Sequence, residues 1–140
     1  MRTAIDTNVL SALWSAEPLS PLVSEALDTA AGAGGLVICA PVYAELLAHP
    51  KASVAFVDAV LDETGIAIDF DFGEPVWREV SVRFAKYAAR RRASRGGSAK
   101  RLLVDFIVGA HALIRADRLL TLDAGRYSRD FPELKQIACG

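Results

Sequence analysis

Along the chain, short unbroken apolar runs give way to helical stripes of apolar residues, and the same switch recurs several times. Residues 2–5 predict a short strand ending at Asp6, behind which Val9, Leu10, Leu13 and Trp14 recur at helical spacing. Ser20 and Pro21 have the form of an N-cap and a first helical residue, and Leu22, Val23, Ala26, Leu27 and Ala30 supply the stripe that follows. The glycines of 32–35 end that helix. Leu36 to Cys39 reads as a buried strand, and Pro41 opens a helix with Glu45 near its first turn.

Val54, Val57, Val60 and Leu61 mark a helix over about 51–63, which Gly65 stops before a strand at 66–70. Val76, Val80, Phe84, Tyr87 and Ala88 form the inner stripe of a longer helix, with Glu79 and Arg83 paired at i,i+4 on its outer face. Trp14, Trp77 and most phenylalanines fall in core stripes, whereas Asp69 and Asp71 alternate with phenylalanines and are expected to face solvent. After Gly96, Gly97 and Ser98 comes an apolar helix that carries Asp105 and ends near Ala116. Residues 119–122 predict a strand ending at Asp123, and 136–139 a last edge strand. Strands alternating with helices favour an α/β fold with a mainly parallel sheet covered on both faces.

At 140 residues, 52% of them apolar and 24% charged, the chain has the size and composition of one globular domain. No repeat or interdomain linker divides residues 1–140. The longest uncharged stretch, Thr29 to Ala44, is broken by glycines and a proline and is shorter than the ~20 residues of a spanning helix. With no membrane span and no signal peptide, a cytoplasmic protein is expected. Cys39 and Cys139 match neither a redox pair nor a zinc motif, and are read as a packed thiol and a free thiol near the tail.

Four carboxylates lie in apolar settings: Asp6, Glu45, Asp105 and Asp123. An ionised acid buried there needs a cation, a metal or a proton. Six of the 16 lysines and arginines crowd into residues 90–101, so the four acids look short of basic partners. In open parallel sheets, ligands bind beyond the carboxyl ends of the strands, an edge that all four acids can reach. Like charges about 4 Å apart repel by roughly 4 kcal/mol at an effective dielectric of about 20, so a shared cation or raised pKa values must offset the cluster. Oxygen donors without histidine or cysteine suit Mg²⁺ or Mn²⁺, and such an ion can activate water against a phosphodiester.

Each acid alone has an ordinary explanation: Asp6 as a helix cap, Glu45 as a solvated helix residue, Asp105 as a paired core acid, Asp123 as a turn former. Four in equivalent topological places argue for a shared role. Asn8 and Thr121 can hydrogen-bond the carboxylates from behind, although Asn8 can equally cap a helix and Thr121 simply fill a strand. Arg90, Arg91, Arg92, Arg95, Lys100 and Arg101 flank the Gly-Gly-Ser break just before Asp105, placed to deliver phosphate to the acids. A solvated helix end, or an acidic protein partner, is the competing explanation for them. His49 and His111 have no serine or cysteine beside them in a nucleophilic arrangement, and no phosphate-loop or dinucleotide fingerprint is present.

Ala-Ile-Asp6-Thr-Asn8-Val-Leu, Tyr-Ala-Glu45-Leu-Leu, Val-Asp105-Phe-Ile-Val-Gly-Ala-His-Ala-Leu and Leu-Thr121-Leu-Asp123 together resemble the PIN domain, and within it the VapC-type toxins of bacterial toxin–antitoxin pairs. The resemblance spans nearly the whole chain. It implies a three-layer α/β/α fold, Mg²⁺- or Mn²⁺-dependent endoribonuclease activity on RNA, homodimerisation and inhibition by a VapB-like antitoxin. It further implies that Asp6 and Asp105 are the principal metal ligands, that Glu45 and Asp123 complete the site directly or through water, and that products carry a 5′-phosphate and a 3′-hydroxyl. The insert from Arg90 to Lys100 is less fixed in that family.

Two other readings compete. A catalytically silent RNA-binding or scaffold module would use the acids for structure alone. A phosphoaspartyl enzyme would use Asp6 as nucleophile, but Asn8 stands where a haloacid-dehalogenase-like site has its second acid.

Overall fold

The computed structural model describes residues 1–15, 20–95, 97 and 99–138. Gly96, Ser98 and Cys139, which figured in the expected break and the expected tail thiol, lie outside the described residues. In chain order the elements are β1 (Thr3–Ile5), α1 (Thr7–Trp14), α2 (Ser20–Ala33), β2 (Leu36–Cys39), α3 (Ala40–Leu47), α4 (Val54–Glu63), β3 (Ile66–Asp69), α5 (Gly73–Ala93), α6 (Leu103–Arg115), β4 (Arg118–Thr121), α7 (Gly125–Ser128) and β5 (Gln136–Ala138). The one element without an apolar run long enough to announce it is α7.

The five strands form one parallel sheet in the order β3-β2-β1-β4-β5. From β1 the chain steps outward through β2 to β3, then returns to the other side of β1 for β4 and β5. Right-handed crossovers place the helices between β1 and β3 on one face and those between β3 and β4 on the opposite face, giving an α/β/α sandwich. The reversal lies between β1 and β4. Their neighbouring carboxyl ends therefore open the crevice where such sheets bind ligands.

Every residue of β1 and β2 is buried, as strands covered on both sides require, and all but Thr3 are apolar. Val9, Leu10, Val23 and Leu27 close one face, while Val76, Val80, Phe106 and Val108 close the other. Each such side chain contributes roughly 1.5–3 kcal/mol of transfer free energy. α4 is capped by Ser53 Oγ, which accepts from Phe56 N at 3.1 Å, and it stops at Gly65, whose φ of +69° is a conformation that side chains resist.

Three expectations fail in detail. Trp77 is 48% exposed and stacks on Phe72 at 5.3 Å, because α5 is covered along one side only. Asp69 turns inward to accept from buried His111 Nε2 at 3.1 Å and Arg115 Nε at 3.3 Å. Burial alone would raise the Asp69 pKa, but these two donors outweigh it and hold it low. Arg83 makes the expected i,i+4 pair with Glu79, but that outer face is covered: it also bonds the Glu133 carboxylate and the Asp130 carbonyl, tying α5 to the segment before β5. Periodicity assigns a residue to a helix face, but not the loop that covers it. Among the described residues no helix is long and apolar enough to cross a membrane.

Candidate active site at the switch point of the sheet

Asp6 follows β1 directly and its backbone N–H bonds Leu120 O of the neighbouring strand at 3.0 Å, which fixes it in the crevice. The residue is 6% exposed, and both of its carboxylate oxygens are hydrogen-bonded. Oδ1 accepts from Thr7 N at 2.8 Å, capping α1, and Oδ2 accepts from Thr121 Oγ1 at 2.9 Å and Tyr127 Oη at 2.7 Å. Burial pushes the Asp6 pKa up, even though these three donors and Arg126 favour its charged form. The same carboxylate, together with burial, drives the Tyr127 hydroxyl far above the usual phenol value, so it remains a donor.

The other acids arrive from separate elements. Glu45 is exposed on α3, and its Oε1 accepts from Thr7 Oγ1 at 2.7 Å. Asp105 is 8% exposed in the first turn of α6, where its Oδ2 accepts from Leu102 N at 2.8 Å and so satisfies a free helix-end donor. Asp6, Glu45 and Asp105 line one cavity of about 300 Å³ with Thr7, Asn8, Ser11, Arg126 and Tyr127 among the remaining walls. Asp123, two residues beyond β4, does not line it but is bonded to Arg126, which does. Asn8 and Thr121 stitch the two strand ends together: Asn8 Oδ1 accepts from Leu122 N at 3.1 Å, and Thr121 Oγ1 accepts from Asp123 N at 3.1 Å.

The acids are not without a basic partner, contrary to the sequence expectation. Arg126 on α7 places Nη1 3.4 Å from Asp105 Oδ1 and Nε 3.3 Å from Asp123 Oδ2. Burial would lower its pKa, but the carboxylates, Asp105 first, outweigh that and raise it. Arg126 and Tyr127 were not singled out from sequence. A detectable signal was present, since Arg126 stands three residues after Asp123 and an aromatic hydroxyl in an apolar setting needs a partner.

The donor set is suited to a hard divalent cation: three carboxylates line one cavity with the hydroxyl-bearing Thr7, Ser11 and Tyr127, and one of the acids is desolvated beyond what its own hydrogen bonds offset. Their arrangement is not yet a coordination shell, because among the described residues no three acid, imidazole or thiol groups stand close enough to hold one ion. Positive charge at the site comes from Arg126.

The six basic residues do not behave as one group. Arg90 bonds Asp130 Oδ1 at 3.0 Å and lies over the Tyr87 ring, and Arg91 is directed to the Tyr87 hydroxyl. Arg101 donates from Nε to Arg126 O at 3.2 Å, bracing α7. Arg92, Arg95 and Lys100 are exposed. A larger cavity, about 430 Å³, lies between α5 and residues 129–133, but its charged lining includes the paired Glu79, Arg83, Arg90, Asp130 and Glu133. Its chemistry is that of an ion-pair network. Cys39 is buried, and burial pushes its thiol up to about 12, which makes it an inert packing group.

The family profile of the PIN domain matches residues 3–132. Among solved structures, a chain of VapBC2 from Rickettsia felis bound to a DNA fragment from its promoter is similar, with a TM-score of 0.69, 18% identity and full coverage of both chains. VapBC-1 from nontypeable Haemophilus influenzae gives a TM-score of 0.69 at 17% identity, covering 99% of this chain and 98% of that one. Comparison with curated proteins gives no match.

Proposed function

Because the chain belongs to the PIN domain family, we propose that it is a divalent-metal-dependent endoribonuclease, the toxin of a VapBC-like toxin–antitoxin pair. The observation that carries this reading is the meeting of Asp6, Glu45 and Asp105 at one cavity in the crevice between β1 and β4, with Asp123 joined to them through Arg126. Bound Mg²⁺ or Mn²⁺ would supply water activation and charge stabilisation at a phosphodiester. Asp6 and Asp105 are the assigned principal ligands, with Glu45 and Asp123 completing the set.

The remaining residues position and attract. Thr121, Tyr127 and Thr7 N–H fix the Asp6 carboxylate, and Asn8 holds the β4 end beside it. Exposed Arg92, Arg95 and Lys100 draw RNA phosphates toward the acids without reading sequence. Arg90, Arg91 and Arg101 shape that segment from behind. The expected products carry a 5′-phosphate and a 3′-hydroxyl. The VapBC structures that share the fold support a VapB-like antitoxin as partner, and we assign a homodimer acting in the cytoplasm.

Incubating purified protein with total RNA tests the reading. Cleavage dependent on Mg²⁺ or Mn²⁺, abolished by chelator and by Asp6→Asn, is the expected result; full activity in chelator refutes it. The pairing of Arg126 with two of the acids favours one rival, a silent RNA-binding module. That rival predicts RNA binding with no cleavage under either ion.

A further inference from the structure

We propose that Arg126 is a built-in counter-ion that competes with the divalent cation for the acidic cavity, and that its guanidinium leaves Asp105 and Asp123 as the cation binds. The proposal rests on the metal-dependent reading above and adds a residue that regulates occupancy of that site.

Three features of the geometry carry it. First, Arg126 is the only side chain, among the described residues, bonded to Asp105 Oδ1 or to the Asp123 carboxylate. The other oxygen of Asp105 is committed to Leu102 N, and both oxygens of Asp6 are committed to Thr7, Thr121 and Tyr127. Among the bonded oxygens of these three acids, Asp105 Oδ1 and Asp123 Oδ2 are therefore the two that the guanidinium alone holds. Second, its contacts of 3.4 and 3.3 Å are longer than the about 2.7–2.9 Å of a tight charge-assisted bond, and its side chain is 42% exposed. It has a solvent-facing route out and little to lose by taking it. Third, the backbone that carries it stays anchored without the guanidinium. Arg126 N bonds Asp123 O at 3.2 Å, Arg126 O accepts from Arg101 Nε at 3.2 Å, and the next side chain, Tyr127, is buried on Asp6. The side chain can swing while α7 remains in place.

This competition also accounts for the incomplete coordination shell. A planar singly charged fork spans Asp105 and Asp123, whereas a compact divalent ion would draw the acids toward the cavity centre. Because coupling between two ligands of one site is reciprocal, removing the guanidinium must tighten cation binding by the factor that the cation weakens the ion pairs.

The test is calorimetric titration of metal-stripped protein with Mn²⁺, comparing wild type, Arg126→Gln and Arg126→Lys. Arg126→Gln is expected to bind Mn²⁺ about tenfold more tightly, with Arg126→Lys close to wild type because the charge is kept. An affinity unchanged or weakened in Arg126→Gln, in a wild type that does bind Mn²⁺, overturns the competition and leaves the nuclease reading intact. No Mn²⁺ binding by any of the three overturns both. Should Arg126→Gln fail to fold, the Arg126 Nε–H resonance of wild type decides: exchange that quickens on adding Mg²⁺ supports release, and an unaltered signal refutes it.

Discussion

Tyr127 and Asp6 are 121 positions apart, yet the Tyr127 hydroxyl donates to Asp6 Oδ2 at 2.7 Å, joining a four-residue helix to the end of the first strand. The bond answers two needs. A buried phenol must find an acceptor, and a desolvated carboxylate must find donors. Tyr127→Phe removes one of three donors and leaves the ring's packing in place. Expected outcomes are a loss of about 1–3 kcal/mol in chemical denaturation and a further rise in the Asp6 pKa, read by carboxylate NMR. A Tyr127→Phe protein with unchanged stability and unchanged Asp6 titration would show that Thr121 and Thr7 suffice.

Asp6→Asn separates a functional acid from a structural one. Burial raises the Asp6 pKa, so its charge opposes folding at neutral pH even after its hydrogen bonds are counted. An uncharged isostere relieves that cost while keeping one oxygen for Thr121 and Tyr127. We expect stability within about 1 kcal/mol of wild type, or above it, alongside lost RNA cleavage. Destabilisation well beyond that figure in urea denaturation would assign Asp6 to the fold.

Much of this was legible in the chain, for identifiable reasons. β2 is apolar without interruption and β1 is apolar but for Thr3, because both faces are covered, and the acids at or just beyond the ends of β1, β2 and β4 stand out against such runs. Asp105 was visible for the same reason, as a charge in the apolar first turn of α6. What escaped was the partner of each charge. Arg126 meets Asp105 across 21 positions, and Arg83 meets Glu133 across 50. Those distances depend on how α7 and the segment before β5 fold back, and neither carries an apolar period. Asp69 was misread for a related reason: its partner, His111, lies 42 residues away on α6.

His111 supplies a pH dependence of known sign. Burial lowers its folded pKa below the 6.5 of a free imidazole, against the pull of Asp69. Below 6.5 the unfolded chain takes up a proton that the folded chain refuses, so stability is full above that value and falls as pH drops toward the lower folded value. A single titrating group of this kind can contribute at most roughly 1.4 kcal/mol per pH unit between the two values. Asp69, held low by His111 and Arg115, adds its own loss only below 3.8. Urea midpoints between about pH 7.5 and pH 5 should fall in wild type and flatten in His111→Gln; parallel curves would remove His111 from the account.

Gly109 marks a close approach within α6. A Cβ placed there would lie 2.5 Å from Phe131 Cε2. Phe131 is fully buried against Phe106 and carries the Arg83 guanidinium over its ring at 4.7 Å, so it has little room to retreat. Gly109→Ala gains helix propensity of about 1 kcal/mol but forces that ring aside, an overpacking cost of about 1–3 kcal/mol. The net expectation is a lower thermal midpoint, and a rise would mean that the 129–134 segment yields freely.

The basic segment is best tested by salt, because phosphate contacts release counterions and structural arginines do not. Arg92, Arg95 and Lys100 are exposed, whereas Arg90 is bound to Asp130 and Tyr87. Replacing one of the exposed three with Gln should weaken RNA binding across all sequences and reduce the slope of log affinity against log salt by about 0.7, the single-strand value per phosphate contact. Arg90→Gln should act differently. It leaves Asp130, whose side chain is 7% exposed, without its cation and should lower stability while the salt slope stays as it was. Fluorescence anisotropy over a salt series, with urea denaturation of the same proteins, measures both quantities; a slope change in Arg90→Gln equal to that in Lys100→Gln would show that the ion pair opens to admit RNA.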